Sequence, residues 1–302
     1  MTENRTAPRN GTADAAEARA RREAEEQERL EQRLGSIRHK ILVLSGKGGV
    51  GKSSVAANLA ITLSKQGKSV GLLDIDIHGP SIPRLLGLEG EQVRGTEDSI
   101  VPVTTAAGVK VMSIGFLLRS GDDAVIWRGP LKFNVLKQFL RDVEWGDLDY
   151  LIIDSPPGTG DEPLSVGQLI ADVDGAVIVT TPQALAVSDV RKSISFARQL
   201  NLPILGVIEN MSGFVCPKCG EASDVFGSGG GEEMASDMGI PFLGRIPIDP
   251  GLVAAGDAGS LAAYLESDAP GAQSFGAVAR KLIEPIEMTD LGPDTKEGSD
   301  DD

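Results

Sequence analysis

The segment that most constrains this chain is Gly46-Lys47-Gly48-Gly49-Val50-Gly51-Lys52-Ser53. It fits the phosphate-binding pattern G-x-x-x-x-G-K-[ST], and it stands between an apolar run, Ile41–Ser45, and a stretch with helical apolar spacing, Lys52–Lys65. Glycines allow the backbone N–H groups to converge on a β-phosphate, and the start of a helix adds positive potential. The segment therefore predicts a phosphate-binding loop (P-loop) between a strand and a helix.

Each part of the loop has a predicted role. Lys52 neutralises the β- and γ-phosphate oxygens, and the Ser53 hydroxyl is a ligand for Mg²⁺, which prefers hard oxygen donors. The predicted nucleotide-binding residues of this segment are Gly46, Lys47, Gly48, Gly49, Val50, Gly51, Lys52, Ser53 and Ser54.

Short apolar runs alternate with longer helical stretches along the body of the chain. The predicted strands are Ile41–Ser45, Val70–Asp74, Val109–Ile114, Tyr150–Asp154, Ala176–Thr180, Ile204–Glu209 and Phe242–Ile246. The predicted helices are Lys52–Lys65, Leu131–Arg141, Val187–Leu200, Gly230–Met238 and Ser274–Ile283. Continuous apolar strands are buried on both faces. The pattern predicts an α/β fold, a mainly parallel sheet with helices on both faces in three layers, with ligands at the carboxyl ends of the strands.

Acidic side chains close two of these strands. Asp154 ends the fourth predicted strand, where it is the expected second contact of Mg²⁺, through water. Asp74 ends the second strand, and Asp76 lies on the same face because side chains alternate along an extended segment. We expect the second strand beside the first, which brings both carboxylates towards the γ-phosphate, with Asp74 as a supporting residue. A pair of turn-forming aspartates is the alternative.

Several polar positions have more than one interpretation. Asn210 directly follows the sixth predicted strand, and its amide either hydrogen-bonds the nucleotide base or caps the strand. The N–H of Gly158 either senses the γ-phosphate or belongs to a plain turn. No Asn-Lys-x-Asp guanine signature occurs in the sequence, which favours ATP. The two histidines, His39 and His78, are too few for a histidine metal site, and His78 is interpreted as a surface residue.

Cys216 and Cys219 are the two cysteines of the chain. Their C-x-x-C spacing lets two thiolates bind one soft metal centre. An iron–sulfur cluster needs four ligands, so the missing two thiolates come most simply from a second copy of the chain across a two-fold axis. The alternatives are zinc in the same four-thiolate site, a redox pair, and inert exposed thiols.

The charge of the chain and the absence of a long apolar run limit its possible partners and location. The 302 residues include 29 basic and 44 acidic side chains, a net charge of −15. This charge repels phosphate backbones and anionic lipids, which predicts no nucleic acid and no membrane partner. Without a long apolar run or a signal peptide, the predicted location is cytoplasmic. The predicted division is a charged helical or disordered extension at 1–36, a P-loop ATPase domain at 37–285 and an acidic disordered tail at 286–302.

The loop from Lys47 to Ser53 resembles the deviant phosphate loop of the MinD/ParA/nitrogenase-iron-protein class of dimeric ATPases. This resemblance implies that Lys47 reaches the partner's nucleotide across a dimer interface and that Asp76 orients or activates the attacking water. Lys47, Lys52 and Asp76 are therefore the expected catalytic residues of a slow ATP hydrolase. A solvated loop lysine is the alternative for Lys47.

Further motifs resemble the Mrp/ApbC family of iron–sulfur carrier ATPases. They are Asp74-Ile75-Asp76-Ile77-His78-Gly79-Pro80-Ser81, Trp127-Arg128-Gly129-Pro130, Asp154-Ser155-Pro156-Pro157-Gly158-Thr159-Gly160-Asp161, Glu209-Asn210-Met211-Ser212 and Cys216-Pro217-Lys218-Cys219-Gly220. Family members often carry tyrosine where His78 stands.

The resemblance implies a function and its cofactors. It implies a homodimer that uses ATP and Mg²⁺, assembles a bridging cluster of the [4Fe–4S] type and passes it to apo iron–sulfur proteins. The alternative function is a spatial-organiser ATPase of the MinD/ParA kind. Membrane members of that kind end in a basic amphipathic helix and DNA-binding members need basic patches, and an Asp-rich C-terminus fits neither.

Overall fold

The structure is a computed structural model that describes residues 11–76, 79–96, 99–117, 129–158, 167, 169–170 and 172–290. The motif residues at 77–78, 127–128 and 159–161, His78 among them, lie outside these ranges. The helices are α1 Gly11–Gly35, α2 Lys52–Lys65, α3 Ile82–Leu85, α4 Gly129–Asp142, α5 Ala184–Gln199, α6 Gly230–Asp237, α7 Pro250–Asp257, α8 Leu261–Tyr264 and α9 Pro270–Asp290. The strands are β1 Ile37–Ser45, β2 Val70–Asp74, β3 Arg94–Thr96, β4 Ser99–Val101, β5 Val103–Thr104, β6 Lys110–Ser113, β7 Leu148–Asp154, β8 Gly175–Thr180, β9 Ile204–Glu209, β10 Phe214–Val215, β11 Ala222–Ser223 and β12 Phe242–Arg245.

Eight of the strands form one sheet, in the order β12-β9-β8-β1-β7-β2-β6-β5. All neighbouring pairs are parallel except β5 with β6 at the edge. The predicted α/β fold with a mainly parallel sheet is confirmed. Since β1 lies in the middle of the sheet, the P-loop that follows it lies at the centre of the carboxyl edge.

The sheet separates two helical layers. In β9, Val207 packs in a cluster with Met234 of α6, whereas its neighbour Ile208 belongs to the main core. Adjacent strand residues point to opposite faces, so the two clusters lie on the two sides of the sheet. α2 packs with α9, and α5 packs with α6. No helix among the described residues is both long and apolar enough to cross a membrane.

The strand order differs from the prediction at one place that matters for the site. β2 does not lie beside β1, because β7 stands between them. Asp154 of β7 is in register with Asp74 of β2 on one side and with Val43 of β1 on the other. A right-handed crossover through α2 can return to the sheet one place further away, so chain order alone does not determine this neighbour.

The N-terminal helix α1 docks on the domain at its C-terminal end. Leu30 and Leu34 are 3% and 6% exposed, and Glu26 forms an ion pair with Arg141 of α4 at 3.0 Å. The predicted charged extension is therefore packed on the domain at Leu30 and Leu34, which the sequence did not indicate because two leucines four apart are too few to form an apolar stripe.

The C-terminal helix α9 extends past the predicted start of the acidic tail at 286. Ile286 is buried in the main core, and Asp290 pairs with Arg38 of β1 at 2.7 Å. The helix therefore keeps residues 286–290 in the domain, and the predicted tail from 291 onwards lies outside the described residues.

Candidate functional site

The P-loop joins β1 to α2 as predicted. Gly49 and Gly51 have φ angles of +81° and +80°, left-handed values that glycine adopts without strain. Gly46 is needed for a packing reason, because a Cβ there would lie 2.5 Å from the backbone of Asp189 in α5. The loop borders an open cavity of about 310 Å³, and Lys47 lies on its lining.

Lys52 stands at the centre of a charged cluster with its side chain only 6% exposed. Its Nζ atom lies 2.5 Å from Asp154 Oδ1 and 3.9 Å from Asp76 Oδ2. The Ser53 hydroxyl lies 3.3 Å from the same nitrogen. Residues predicted separately from α2, β7 and the segment after β2 thus meet at one point, beside the P-loop.

Asp74 is fully buried behind this cluster. Asp76 N donates to its Oδ1 atom at 3.0 Å, and Ser113 Oγ donates to its Oδ2 atom at 2.9 Å. Burial, together with the nearby charge of Asp154, raises the pKa of Asp74 to about 8. A largely neutral Asp74 can hold the backbone of Asp76 in place without adding a further negative charge to the site.

The carboxylates at the cluster suit a hydrated Mg²⁺. Burial raises the pKa of Asp154, and the Lys52 ammonium opposes that rise. Asp76 Oδ1 and Asp154 Oδ2 are each buried without a hydrogen-bond partner. These hard oxygen atoms near the Ser53 hydroxyl fit Mg²⁺. Over the described ranges, no three His, Cys, Asp or Glu side chains gather into a metal site, so phosphate and water would supply the remaining ligands.

Asn210 and Gly158 make contacts that were not expected. Asn210 Nδ2 donates to Val50 O at 2.9 Å, and its side chain therefore braces the P-loop backbone. A contact between Asn210 and a nucleotide base stays a prediction. Gly158 N donates to Ser45 O at 2.9 Å, so this N–H is paired with the end of β1 instead of facing a phosphate.

The two cysteines lie at the end of a small hairpin formed by β10 and β11. Cys216 N donates to Glu221 O at 2.9 Å, and Gly220 N donates to Cys216 O at 2.8 Å, which closes the turn. The pKa of the Cys216 thiol is lowered because the N–H groups of Lys218 and Cys219 point at its sulfur. Cys219 is exposed and Cys216 is half-buried, so both can bind a ligand at the surface.

Glu209 is a site residue to which the sequence analysis assigned no role. It is fully buried at the end of β9 and accepts hydrogen bonds from Ser212 Oγ, Gly229 N and Gly231 N, the first two at 2.5 and 2.8 Å. It thereby joins the start of the cysteine segment to the N-terminus of α6, whose positive end suits a carboxylate. The sequence feature that could have identified Glu209 is a glutamate at the end of an apolar strand, with a glycine-rich stretch further along the chain.

The central parallel sheet, the P-loop and the buried lysine–carboxylate cluster define a P-loop NTPase of the MinD/ParA type. The solved MinD of Pyrococcus horikoshii, complexed with Mg-ADP, aligns with a TM-score of 0.60 at 24% identity, over 83% of this chain and 98% of that one, which supports the fold alone. The chain belongs to a more specific group, the NUBPL iron-transfer P-loop NTPase family, whose model matches residues 36–283.

Relatives within this group are much more similar. The iron–sulfur cluster carrier protein of Methanocaldococcus jannaschii is 50% identical over 264 residues, 87% of this chain and 90% of the relative. The cytosolic Fe–S cluster assembly factor CFD1 of Kluyveromyces lactis is 56% identical over 226 residues, 73% of this chain and 80% of the relative. A nucleotide-binding protein from Archaeoglobus fulgidus, solved with ADP, is 47% identical with a TM-score of 0.70, over 79% of this chain and 93% of that one. The carrier family is therefore favoured over the spatial-organiser alternative.

Proposed function

We propose that this protein is an ATP-dependent iron–sulfur cluster carrier that holds its cluster between two copies of the chain and passes it to apoproteins. The observation that carries the proposal is a surface hairpin presenting Cys216 and Cys219 on an NTPase that is 50% identical to a named cluster carrier. Two relatives are named cytosolic assembly factors, and a cytoplasmic location is part of the proposal.

Ligand counting supports the bridging arrangement. A [4Fe–4S] cluster takes four thiolates and each chain has two cysteines, so two hairpins must face each other. Val215, Val225 and Phe226 are 46%, 58% and 43% exposed on or beside the hairpin. Such apolar side chains around the cysteines suit a contact with a second copy. The cluster is the cargo of the protein, so its ligands have to stay accessible.

ATP hydrolysis is the proposed energy source. Lys52 binds the β- and γ-phosphates, and Asp76 orients the attacking water at the mouth of the cavity. Ser53 would hold Mg²⁺ directly and Asp154 through water, and the bound ion would neutralise charge on the phosphates. Because Lys52 is paired with Asp154 at 2.5 Å, its ammonium must exchange part of this contact for phosphate oxygens when the nucleotide binds.

Lys47 is proposed to act on the nucleotide of the partner subunit. Its side chain is half-buried on the cavity lining, and it has no ion pair within the part of the chain that the structure describes. Mixing Lys47→Ala with Lys52→Ala tests this role. If Lys47 acts in trans, random exchange of subunits makes about half of the dimers mixed, and each mixed dimer has one complete site out of two. The mixture should then recover about a quarter of wild-type turnover. A mixture no more active than its two components would show that Lys47 acts within its own chain.

The experiment that tests the function is anaerobic reconstitution of the full chain with iron and sulfide. We expect a visible chromophore and four iron and four sulfide per dimer, which Cys216→Ser and Cys219→Ser each abolish. Lys218→Ala, between the two cysteines, is the matched control and should load normally. One zinc per dimer without sulfide would support a structural zinc site instead, and a loaded monomer would contradict the bridging arrangement.

A further inference from the structure

The P-loop and the cysteine hairpin are joined by a short piece of chain that starts at Asn210. Asn210 is 7% exposed, and its Nδ2 atom donates to Val50 O inside the P-loop at 2.9 Å. A Cβ on Gly51 would lie 2.3 Å from that nitrogen and 3.6 Å from Met211 Cε. The side chains of two consecutive residues therefore lie directly against the loop, and the loop glycine has no room for anything larger.

The backbone on either side of Met211 is anchored to different strands. Asn210 N donates to Thr180 O of β8 at 2.8 Å, and Ser212 N donates to Ile246 O, just after β12, at 3.0 Å. Met211 itself has a φ angle of +56°, a left-handed value that is unusual for a methionine. Since the N–H groups of Asn210 and Ser212 are both held, a movement of the backbone in this segment would be taken up by the dihedral angles of Met211.

The chain after Ser212 leads directly into the cysteines. Ile248 N donates to Gly213 O at 2.8 Å, and Phe214 of β10 forms a bridge with Ile248. Cys216 follows two residues later, where it begins the turn of the hairpin. Apart from these contacts to Ile248, the hairpin strands β10 and β11 pair only with each other over the described residues. Its orientation therefore depends on the direction in which the chain leaves residues 210–212.

We propose that Asn210 and Met211 are positioning residues that couple the state of the P-loop to the orientation of the cysteine hairpin. Nucleotide phosphates recruit the N–H groups of the loop, the peptide at Val50 adjusts, and the hydrogen bond from Asn210 transmits that adjustment to the joint at Met211. This inference rests on the proposed function, since it supplies a route by which nucleotide binding could alter how firmly the cargo cluster is held.

The test measures the reactivity of the cysteines in the reduced, cluster-free full chain. Alkylation of Cys216 by iodoacetamide is followed by peptide mass spectrometry with and without saturating Mg-ADP, at a concentration where light scattering shows the same oligomeric state in both samples. In the wild type the rate should change about 5-fold or more, the lower end of usual coupling between sites. For Asn210→Ala, the Mg-ADP concentration is chosen from the measured affinity of that variant so that it is saturated. Mg-ADP should then change the alkylation rate of Cys216 by less than about 2-fold.

A second pair of variants separates coupling from folding. Met211→Gly keeps the left-handed backbone and should fold, yet it frees the joint and removes the side chain that lies beside Gly51, so the ADP-dependent change should again be lost. Asn201→Gly is its control, because Asn201 is exposed and also has a positive φ angle, +54°, away from both sites. It should retain the full change.

The proposal would be overturned by a wild type whose cysteine reactivity does not respond to Mg-ADP, or by a full response in both Asn210→Ala and Met211→Gly. Loss of the response in Asn201→Gly would equally overturn it, since the effect would then be general. Iron and sulfide loading is measured separately on the same proteins. A chain that shows the coupling but never loads a cluster would refute the proposed function and leave the coupling standing.

Discussion

The P-loop region and the cysteine hairpin both lie in segments that follow strands of the main sheet, but they are built in opposite ways. Around the P-loop, Lys52, Asp74 and Asp154 are all buried, and they touch each other or a common neighbour across three elements. The hairpin has two strands of two residues each and presents its thiols at the surface. The phosphate site is thus shaped largely within one chain, whereas the cysteine hairpin presents two thiols at the surface, and in the proposed function a second copy completes the site.

The largest expected effect of a single substitution is at Lys52, in the P-loop region. Lys52→Ala removes the ammonium that is proposed to bind the phosphates, and we expect ATP turnover to fall about 10³-fold or more. Iron and sulfide loading at the hairpin should remain, because the two sites share no ligand. Lys65→Ala, at the other end of α2 and paired only with Glu266 in the described structure, is the control and should hydrolyse normally. Wild-type turnover by Lys52→Ala would refute the assignment of the P-loop.

A substitution at Asp76 tests whether ATP binding and ATP hydrolysis depend on different side chains of the P-loop region. Asp76→Asn keeps the P-loop and Lys52 but removes the charge that is proposed to orient the attacking water, so turnover should fall about 10²-fold with ATP affinity little changed. Equilibrium binding and single-turnover rates measure the two effects. Asp257→Asn, an exposed aspartate on α7, should alter neither. Weakened binding with normal turnover would contradict the role given to Asp76.

The buried carboxyl of Asp74 behind the P-loop predicts that the stability of the folded chain falls as the pH rises. The pKa of Asp74 is about 8 in the folded chain, above the ordinary value of about 3.9 for an unfolded aspartate, so the folded state binds the extra proton. The corresponding stability is complete below pH 3.9 and is lost as the pH rises towards 8. Asp74→Asn, which imitates the protonated carboxyl, should flatten this fall by about 1 kcal/mol per pH unit.

Denaturant titrations between pH 5 and pH 8 check this slope. Asp149→Asn is the control, because the pKa of Asp149 is shifted in the opposite direction. Hydrogen bonds from Ser69 lower this pKa, so the stability that Asp149 contributes is lost only as the pH falls below the usual carboxyl range. Its slope between pH 5 and pH 8 should parallel the wild type. An unchanged slope in Asp74→Asn would mean that Asp74 is ionised in the folded protein.

The smallest expected effect is on the stability of the chain when a cysteine of the hairpin is replaced. Cys216→Ser changes a surface thiol in a segment with few neighbours, so the free energy of unfolding of the cluster-free chain should move by less than about 0.5 kcal/mol. Leu59→Ala, a fully buried position of α2 behind the P-loop, should cost about 2–5 kcal/mol in the same assay. Comparable losses would show that the hairpin is part of the folding core.

The errors made from sequence share one physical origin. The strand order placed β2 beside β1, and β7 lies between them, because local apolar patterns identify a strand without naming its neighbours. The docking of α1 depends on Leu30 and Leu34 meeting α4 and the core, which no local pattern reveals. The contact of Asn210 with Val50 joins positions 160 residues apart. Each of these features is a long-range contact.

The amino-acid sequence by itself determined the P-loop, the strand that ends in Asp154, the Cys-x-x-Cys spacing and the parallel α/β class, because each depends on residues a few positions apart and on periodicities of the backbone. The tertiary structure alone decided that Asp74 is buried against Asp154 and so has a raised pKa, that Lys52 pairs with Asp154, and that Asn210 and Met211 lie against the P-loop. Burial and the distances between charges are set by how distant segments pack, and these quantities govern the electrostatics of the site.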